Sequence, residues 1–342
     1  MRSKLMVAVA AAALSFAATN AQAATINGAG SSWVYPLVAK WAAAYHKETG
    51  KQVNYASIGS GGGIKQIEGG VVAFGASDMP LTPATLAKHG LIQFPTAIAG
   101  EDLVYNVPGI KSGQLILSGP VVAKIYMAEI KKWNDPAIKK LNPGLKLPDM
   151  AINVVHRSDG SGTTFTFANY LSKVSPEWKK KLGANTSIDW PTGIGGKGNE
   201  GVSAYVQKSS GSIGYVEYAY ILQNNLDYAR LINKAGKTVS PSLKGFQAAA
   251  GHVDITKAKE YYVILTDQPG APTRPISGST SQILRKAAPK ATNEEVTRFF
   301  LWGFEKGQKM ARDIAFGPLP PSTIAAIKAY WTKNLGITVA MK

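Results

Sequence analysis

The chain has 342 residues, a net charge of +17 and no cysteine. The missing thiols exclude disulfides, thiolate metal sites, a cysteine nucleophile and a lipid-anchored cysteine at a processed N-terminus. Stability must therefore come from a core, for which 45% hydrophobic residues suffice, and a chain this long tends to split into two lobes.

Residues 1–23 read as a signal peptide. Arg2 and Lys4 give a positive start, an apolar run spans 5–18, and Ala21-Gln22-Ala23 has the small-x-small form of a cleavage site. The run is shorter than the roughly 20 residues that cross a bilayer. The expectation is an exported, soluble chain beginning at Ala24.

A glycine- and serine-rich turn at 28–33 (Gly-Ala-Gly-Ser-Ser-Trp) leads into a helix predicted over 32–48. There Trp33, Leu37, Trp41 and Tyr45 recur every four residues as one core-facing stripe. A strand over 53–57 enters a second such turn, 59–64 (Gly-Ser-Gly-Gly-Gly-Ile), followed by a helix over 62–69. A strand over 72–76 runs out at Asp78, ahead of Pro80 and a helix over 82–89. After a strand over 103–107 and a helix over 121–127, a strand over 152–156 meets the third turn, 157–164 (Arg-Ser-Asp-Gly-Ser-Gly-Thr-Thr), and a helix over 163–171. Further helices are predicted over 201–208, 242–250, 293–306 and 321–335, and strands over 213–215 and 262–266. This alternation is the pattern of an α/β protein.

The three turns share one plan: an apolar segment, small residues, a hydroxyl, then a helix. The first N–H groups of a helix lack partners and carry partial positive charge. Glycines let the backbone approach closely, and hydroxyls add donors, so each turn can cradle an anion. A single turn of this kind is an ordinary N-cap; three, with Arg157 at the mouth of the last, point to an oxyanion. Arg157 offers a permanent charge and a planar fork, and Asp159 beside it can either pair with it or hold it in position. Asp78 is the informative residue. As a cap for the next helix it is unremarkable; in an anion site it repels the guest unless the guest brings a proton, because an ionised carboxylate only accepts hydrogen bonds. Hydrogen phosphate has such a proton near neutral pH and sulfate does not.

The residues so far match a known family. The chain resembles the periplasmic phosphate-binding proteins of Pst-type phosphate ABC importers over essentially all of its length after the signal. The shared stretches are 47–50 (Lys-Glu-Thr-Gly), 74–78 (Phe-Gly-Ala-Ser-Asp), 130–133 (Ile-Lys-Lys-Trp) and 141–148 (Leu-Asn-Pro-Gly-Leu-Lys-Leu-Pro). They continue with 159–163 (Asp-Gly-Ser-Gly-Thr), 195–199 (Gly-Gly-Lys-Gly-Asn) and 214–220 (Gly-Tyr-Val-Glu-Tyr-Ala-Tyr). Residues 256–274 match least well.

The resemblance implies a type II periplasmic-binding-protein fold: two α/β lobes with a ligand cleft between them. Lobe one comprises 24–104 and 275–342 and lobe two 105–274, with crossovers near 102–106 and 272–278. It carries the family's ligand set onto Ser32 (hydroxyl), Trp33 (backbone N–H), Ser60, Asp78, Arg157, Ser161, Gly162 and Thr163. Ser32 and Trp33 stand where the family has Thr and Phe; the hydroxyl and the N–H survive both changes. It further implies inorganic phosphate as ligand, transmembrane permease subunits and cytoplasmic ATPase subunits as partners, a periplasmic monomer, no cofactor and no catalysis.

Rival functions find little purchase. The strongest is a binding protein for another oxyanion, such as sulfate, molybdate or a phosphonate; Asp78 argues against the first two. A secreted phosphatase or esterase is disfavoured by the absence of Gly-x-Ser-x-Gly, Ser-x-x-Lys and His-Glu-x-x-His, and His46, His89, His156 and His252 lack metal-ligand spacing. Residues 193–198 (Gly-Ile-Gly-Gly-Lys-Gly) fit a dinucleotide pattern by letter but follow Trp-Pro-Thr rather than a strand. Lysines at 131–132, 139–140 and 179–181 fall on amphipathic helical patterns as solvated faces, and no stripe interleaves aromatics with Arg as nucleic-acid binding requires.

Overall fold

The computed structural model describes residues 25–340, so the segment read as a signal peptide lies outside the described residues. The chain opens with β1 (Ile26–Gly30), α1 (Tyr35–Thr49), β2 (Val53–Ser57), α2 (Ser60–Glu68), β3 (Phe74–Ser77) and α3 (Pro83–His89). β1 is parallel to both β2 and β3. β4 (Leu91–Asn106) follows, 16 residues long. Next come β5 (Ile116–Ser118), α4 (Gly119–Tyr126), α5 (Pro136–Leu141), β6 (Asn153–Arg157), α6 (Gly162–Val174) and α7 (Pro176–Lys181). β7 (Ile194–Gly196), α8 (Gly198–Lys208), β8 (Ser212–Glu217) and α9 (Tyr218–Asn224) complete this region. Three short strands, β9 (Asp227–Tyr228), β10 (Arg230–Ile232) and β11 (Thr238–Val239), precede α10 (Leu243–Ala250). The chain then returns through β12 (Ser277–Arg285), α11 (Lys290–Glu305), α12 (Gln308–Arg312) and α13 (Pro321–Leu335).

The main sheet runs β2-β1-β3-β12-β4-β8-β6-β7. β4 carries it from one half to the other: Leu91 to Gly100 pair antiparallel with β12, and Glu101 to Asn106 pair antiparallel with β8. Each half has its own core. One gathers Trp41, Phe74, Phe94, Phe300 and Trp331; the other gathers Leu103, Trp133, Phe167, Trp178 and Tyr215. These are two α/β lobes joined through a shared strand.

The aromatic stripe is buried as expected, with Trp33, Leu37, Trp41 and Tyr45 each at most 2% exposed. Burying side chains of this size stabilises by roughly 2–3 kcal/mol apiece. α1 itself begins at Tyr35, so Ser32 and Trp33 lie in the turn before it rather than in the helix. The strand expected over 103–107 is the end of β4. The strand expected over 262–266 does not form. Two 3-10 turns, Ile255–Lys257 and Lys259–Tyr261, precede it, and Glu260 and Tyr261 take positive φ of 52° and 53°. The chain there turns Leu265 into the first core instead of along a sheet; a short apolar run cannot distinguish the two.

Candidate functional site

β1, β3 and β6 end at the same place, and the turns that follow them converge there. The carboxyl ends of parallel strands are where such sheets open toward ligands. Asp78, just past β3, is 4% exposed. Ser31 Oγ stands 2.7 Å from both of its oxygens, Thr280 Oγ1 donates to Oδ1 at 2.6 Å, and Ser60 Oγ donates to Oδ2 at 3.4 Å. Burial pushes the carboxyl up to about 6, against the opposing pull of the Ser31 and Thr280 hydroxyls, the Arg157 charge and Ser60.

Arg157, the last residue of β6, is also 4% exposed. Its Nε and Nη2 fork onto Asp159 at 2.8 and 2.6 Å, and Nη1 reaches Thr163 Oγ1 at 3.0 Å. Burial opposes its charge, but the bonds to Asp159 outweigh burial and hold the guanidinium above its ordinary value. Burial likewise works against charge on Asp159; Arg157 and the Gly198 N–H, at 3.0 Å, still keep it below the usual carboxylate range. The pair is a fixed dipole, so a guest anion meets a guanidinium already oriented.

Ser161 caps α6, its Oγ accepting from the Thr164 N–H at 3.0 Å. Gly162 is pressed against the opposite lobe: a Cβ there would lie 2.4 Å from Ser60 Oγ and 2.6 Å from Asp78 Oδ2. Ser32 Oγ accepts from the Asn199 N–H at 3.0 Å and from the Asn199 side-chain amide at 2.8 Å, and that amide also reaches Thr163 Oγ1 at 3.3 Å. The Trp33 N–H donates to Ser31 Oγ at 3.0 Å, while the indole is buried. Ser32, Trp33, Ser60, Asp78, Arg157, Ser161, Gly162 and Thr163 thus fall in one buried cluster spanning both lobes.

The lobes are closed on each other. The Gly61 N–H donates to Gly160 O at 2.8 Å, Tyr220 donates to Ser32 O at 2.7 Å, and Ser57 Oγ donates to Glu200 at 3.1 Å. Three residues of the site escape sequence reasoning: Ser31, Thr280 and Asn199. Ser31 was visible only as one of two adjacent serines. Thr280 lies in a hydroxyl-rich stretch that carries no motif, and Asn199 ends a stretch quoted above only for its resemblance. His156 stands apart, half-buried and stacked on Trp190 at 4.9 Å. The glycine loop at 193–198 forms β7, parallel to β6, and uses its last N–H on Asp159.

Comparison with known proteins identifies the family. A family model for the PBP superfamily domain matches residues 16–304. A phosphate-binding protein PstS from Xylella fastidiosa (strain 9a5c) is 51% identical over 310 residues, covering 90% of this chain and 85% of the relative. Another, from Pasteurella multocida, is 53% identical over 315 residues and covers 92% of each. Among solved structures, a high affinity periplasmic phosphate-binding protein bound with phosphate superposes with a TM-score of 0.73 at 20% identity, covering 90% of this chain and 93% of the other. With the superfamily domain spanning most of its length and half its residues shared with PstS relatives, this chain belongs to the PBP superfamily and, within it, to the family of PstS phosphate-binding proteins.

Proposed function

We propose that this protein captures inorganic phosphate outside the cytoplasm for an ABC importer and catalyses no reaction. One observation carries the reading: Asp78, a carboxylate with no ion-pair partner among the described residues, shares a water-excluding cluster with Arg157 and a set of hydroxyl donors. Above about pH 6 that carboxylate is ionised and can only accept, so the guest must present a hydrogen. Hydrogen phosphate does. Sulfate would leave two buried acceptors facing each other, at a cost on the order of a few kcal/mol.

The ligand set assigned is Ser32, Ser60, Asp78, Arg157, Ser161, Gly162 and Thr163, with the Trp33 N–H added on the family resemblance. Lobe one is taken as 24–104 with 275–342 and lobe two as 105–274. Within the latter span, Phe246, Ile255, Tyr261 and Leu265 pack into the first core. The closed form is the one offered to transmembrane permease subunits, which work with cytoplasmic ATPase subunits, and residues 1–23 direct export to the periplasm as a monomer. The phosphate-binding names of close relatives support this assignment.

Titration calorimetry of the chain from Ala24 tests it. Wild type is expected to bind phosphate and to ignore sulfate, whereas Asp78→Asn discriminates less sharply. Tight sulfate binding by wild type overturns the ligand assignment.

A further inference from the structure

Asn199 occupies no position in the ligand set above, yet it is fully buried between the two lobes. Its Oδ1 accepts from the Glu217 N–H at 2.9 Å. A backbone N–H can only donate, so that contact fixes which way the amide points. The NH₂ group must then face Ser32 Oγ at 2.8 Å and Thr163 Oγ1 at 3.3 Å, one hydrogen for each.

A hydroxyl has two lone pairs and one hydrogen. Both lone pairs of Ser32 Oγ are taken, by the Asn199 N–H and the Asn199 amide. Both lone pairs of Thr163 Oγ1 are taken as well, by Arg157 Nη1 at 3.0 Å and by the Asn199 amide. Neither hydroxyl donates to a protein acceptor among the described residues. Each is left with its hydrogen as its only free valence.

We infer that Asn199 is a positioning residue that commits the hydroxyls of Ser32, from one lobe, and Thr163, from the other, to donate toward the bound anion. The inference rests on the oxyanion reading of the site. Without the amide, each hydroxyl could rotate and offer an acceptor instead. That would set oxygen against oxygen and lose the preorganisation on which tight binding depends. With it, both hydroxyls face the anion as donors, while the Asp78 carboxylate, when ionised, can only accept, which ties Asn199 to specificity as well as affinity.

A double-mutant cycle read by calorimetry with inorganic phosphate tests this. Asn199→Ala and Ser32→Ala are each expected to weaken binding by about tenfold, the loss of one well-made hydrogen bond. If Asn199 works through Ser32, the double variant should be only about threefold weaker than the poorer single variant, because the contact has already gone. A merely structural Asn199 gives a product near a hundredfold, and that result overturns the inference while leaving the phosphate reading intact. Asn199→Asp keeps shape and the acceptor for the Glu217 N–H but turns the two donors into acceptors. It should bind more than about a hundredfold more weakly than wild type with its ligand-free melting temperature retained, and wild-type affinity in this variant also overturns the proposal. A wild-type protein that takes up no phosphate sinks the ligand reading and this inference together.

Discussion

Gly162 sits where the first turn of α6 meets Ser60 and Asp78 from the other lobe, so its missing side chain is a condition of closure. Gly162→Ala would drive a methyl to 2.4 Å from Ser60 Oγ and 2.6 Å from Asp78 Oδ2. The backbone there has no positive φ, and alanine suits a helix, so neither lobe should lose stability. Phosphate affinity should drop by about a hundredfold or more as several hydrogen bonds across the cleft are lost, with an unchanged ligand-free melting temperature. Calorimetry and thermal melting together check this; retained affinity would mean that the lobes close with slack at this contact. Asp78 and Arg157 were legible in the sequence because a charged residue at the end of an apolar strand invites a reason. Ser31 and Thr280 were not, since serine and threonine are common and only three dimensions bring positions 31 and 280 onto one carboxylate.

At the scale of elements, the packing of α1 on α11 depends on Gly303. A Cβ at that position would come within 2.4 Å of the Trp41 ring, which also meets Phe304 edge-on at 6.1 Å. Gly303→Ala gains up to about 1 kcal/mol of helix propensity but overpacks a filled core at a cost of about 1–3 kcal/mol. The urea midpoint should fall; a rise would show that Trp41 can shift without penalty. Helices of this kind were readable because their apolar residues recur at a fixed spacing. β12 was not. Its sequence, Ser-Gly-Ser-Thr-Ser-Gln-Ile-Leu-Arg, is mostly small and polar although it is largely buried in mid-sheet, because its Thr280 serves Asp78 while Gly278 makes room for Trp33. β1 was hidden in the same way, as a glycine-rich strand packed under Phe74.

For the molecule as a whole, buried carboxyls set the pH response. Glu101 and Glu217 oppose each other across β4 and β8, both fully buried. The Glu101 carboxyl has no hydrogen-bond partner among the described residues, and the Glu217 carboxyl accepts from the Ala219 N–H through one oxygen while the other has no partner there. Burial, with Asp78 and Asp102 close by, pushes Glu101 well above the ordinary carboxylate range, and burial does the same for Glu217. Burial also raises Asp102 to about 6 despite its pairing with Arg274. Carboxyls raised in this way keep their protons in the folded chain at pH values where the unfolded chain has released them. Their contribution to stability is complete below the unfolded value of about 4 and is lost as pH climbs through the folded values. The melting temperature should therefore decline as pH rises from about 4 through about 6, and Glu101→Gln should flatten that decline and melt higher at the alkaline end. A midpoint that climbs over this interval, or a variant that keeps the wild-type slope, would contradict the account.

The position of β12, inserted between β3 and β4 and antiparallel to both, also governs when the polypeptide can fold. Until residues 277–285 emerge, the facing edges of β3 and β4 remain open, and β3 waits for a segment just over two hundred positions downstream. Pairing over such separations is slow to nucleate. A nascent chain of this design carries an unfinished first lobe through most of its synthesis, and for that time the open strand edges invite mispairing.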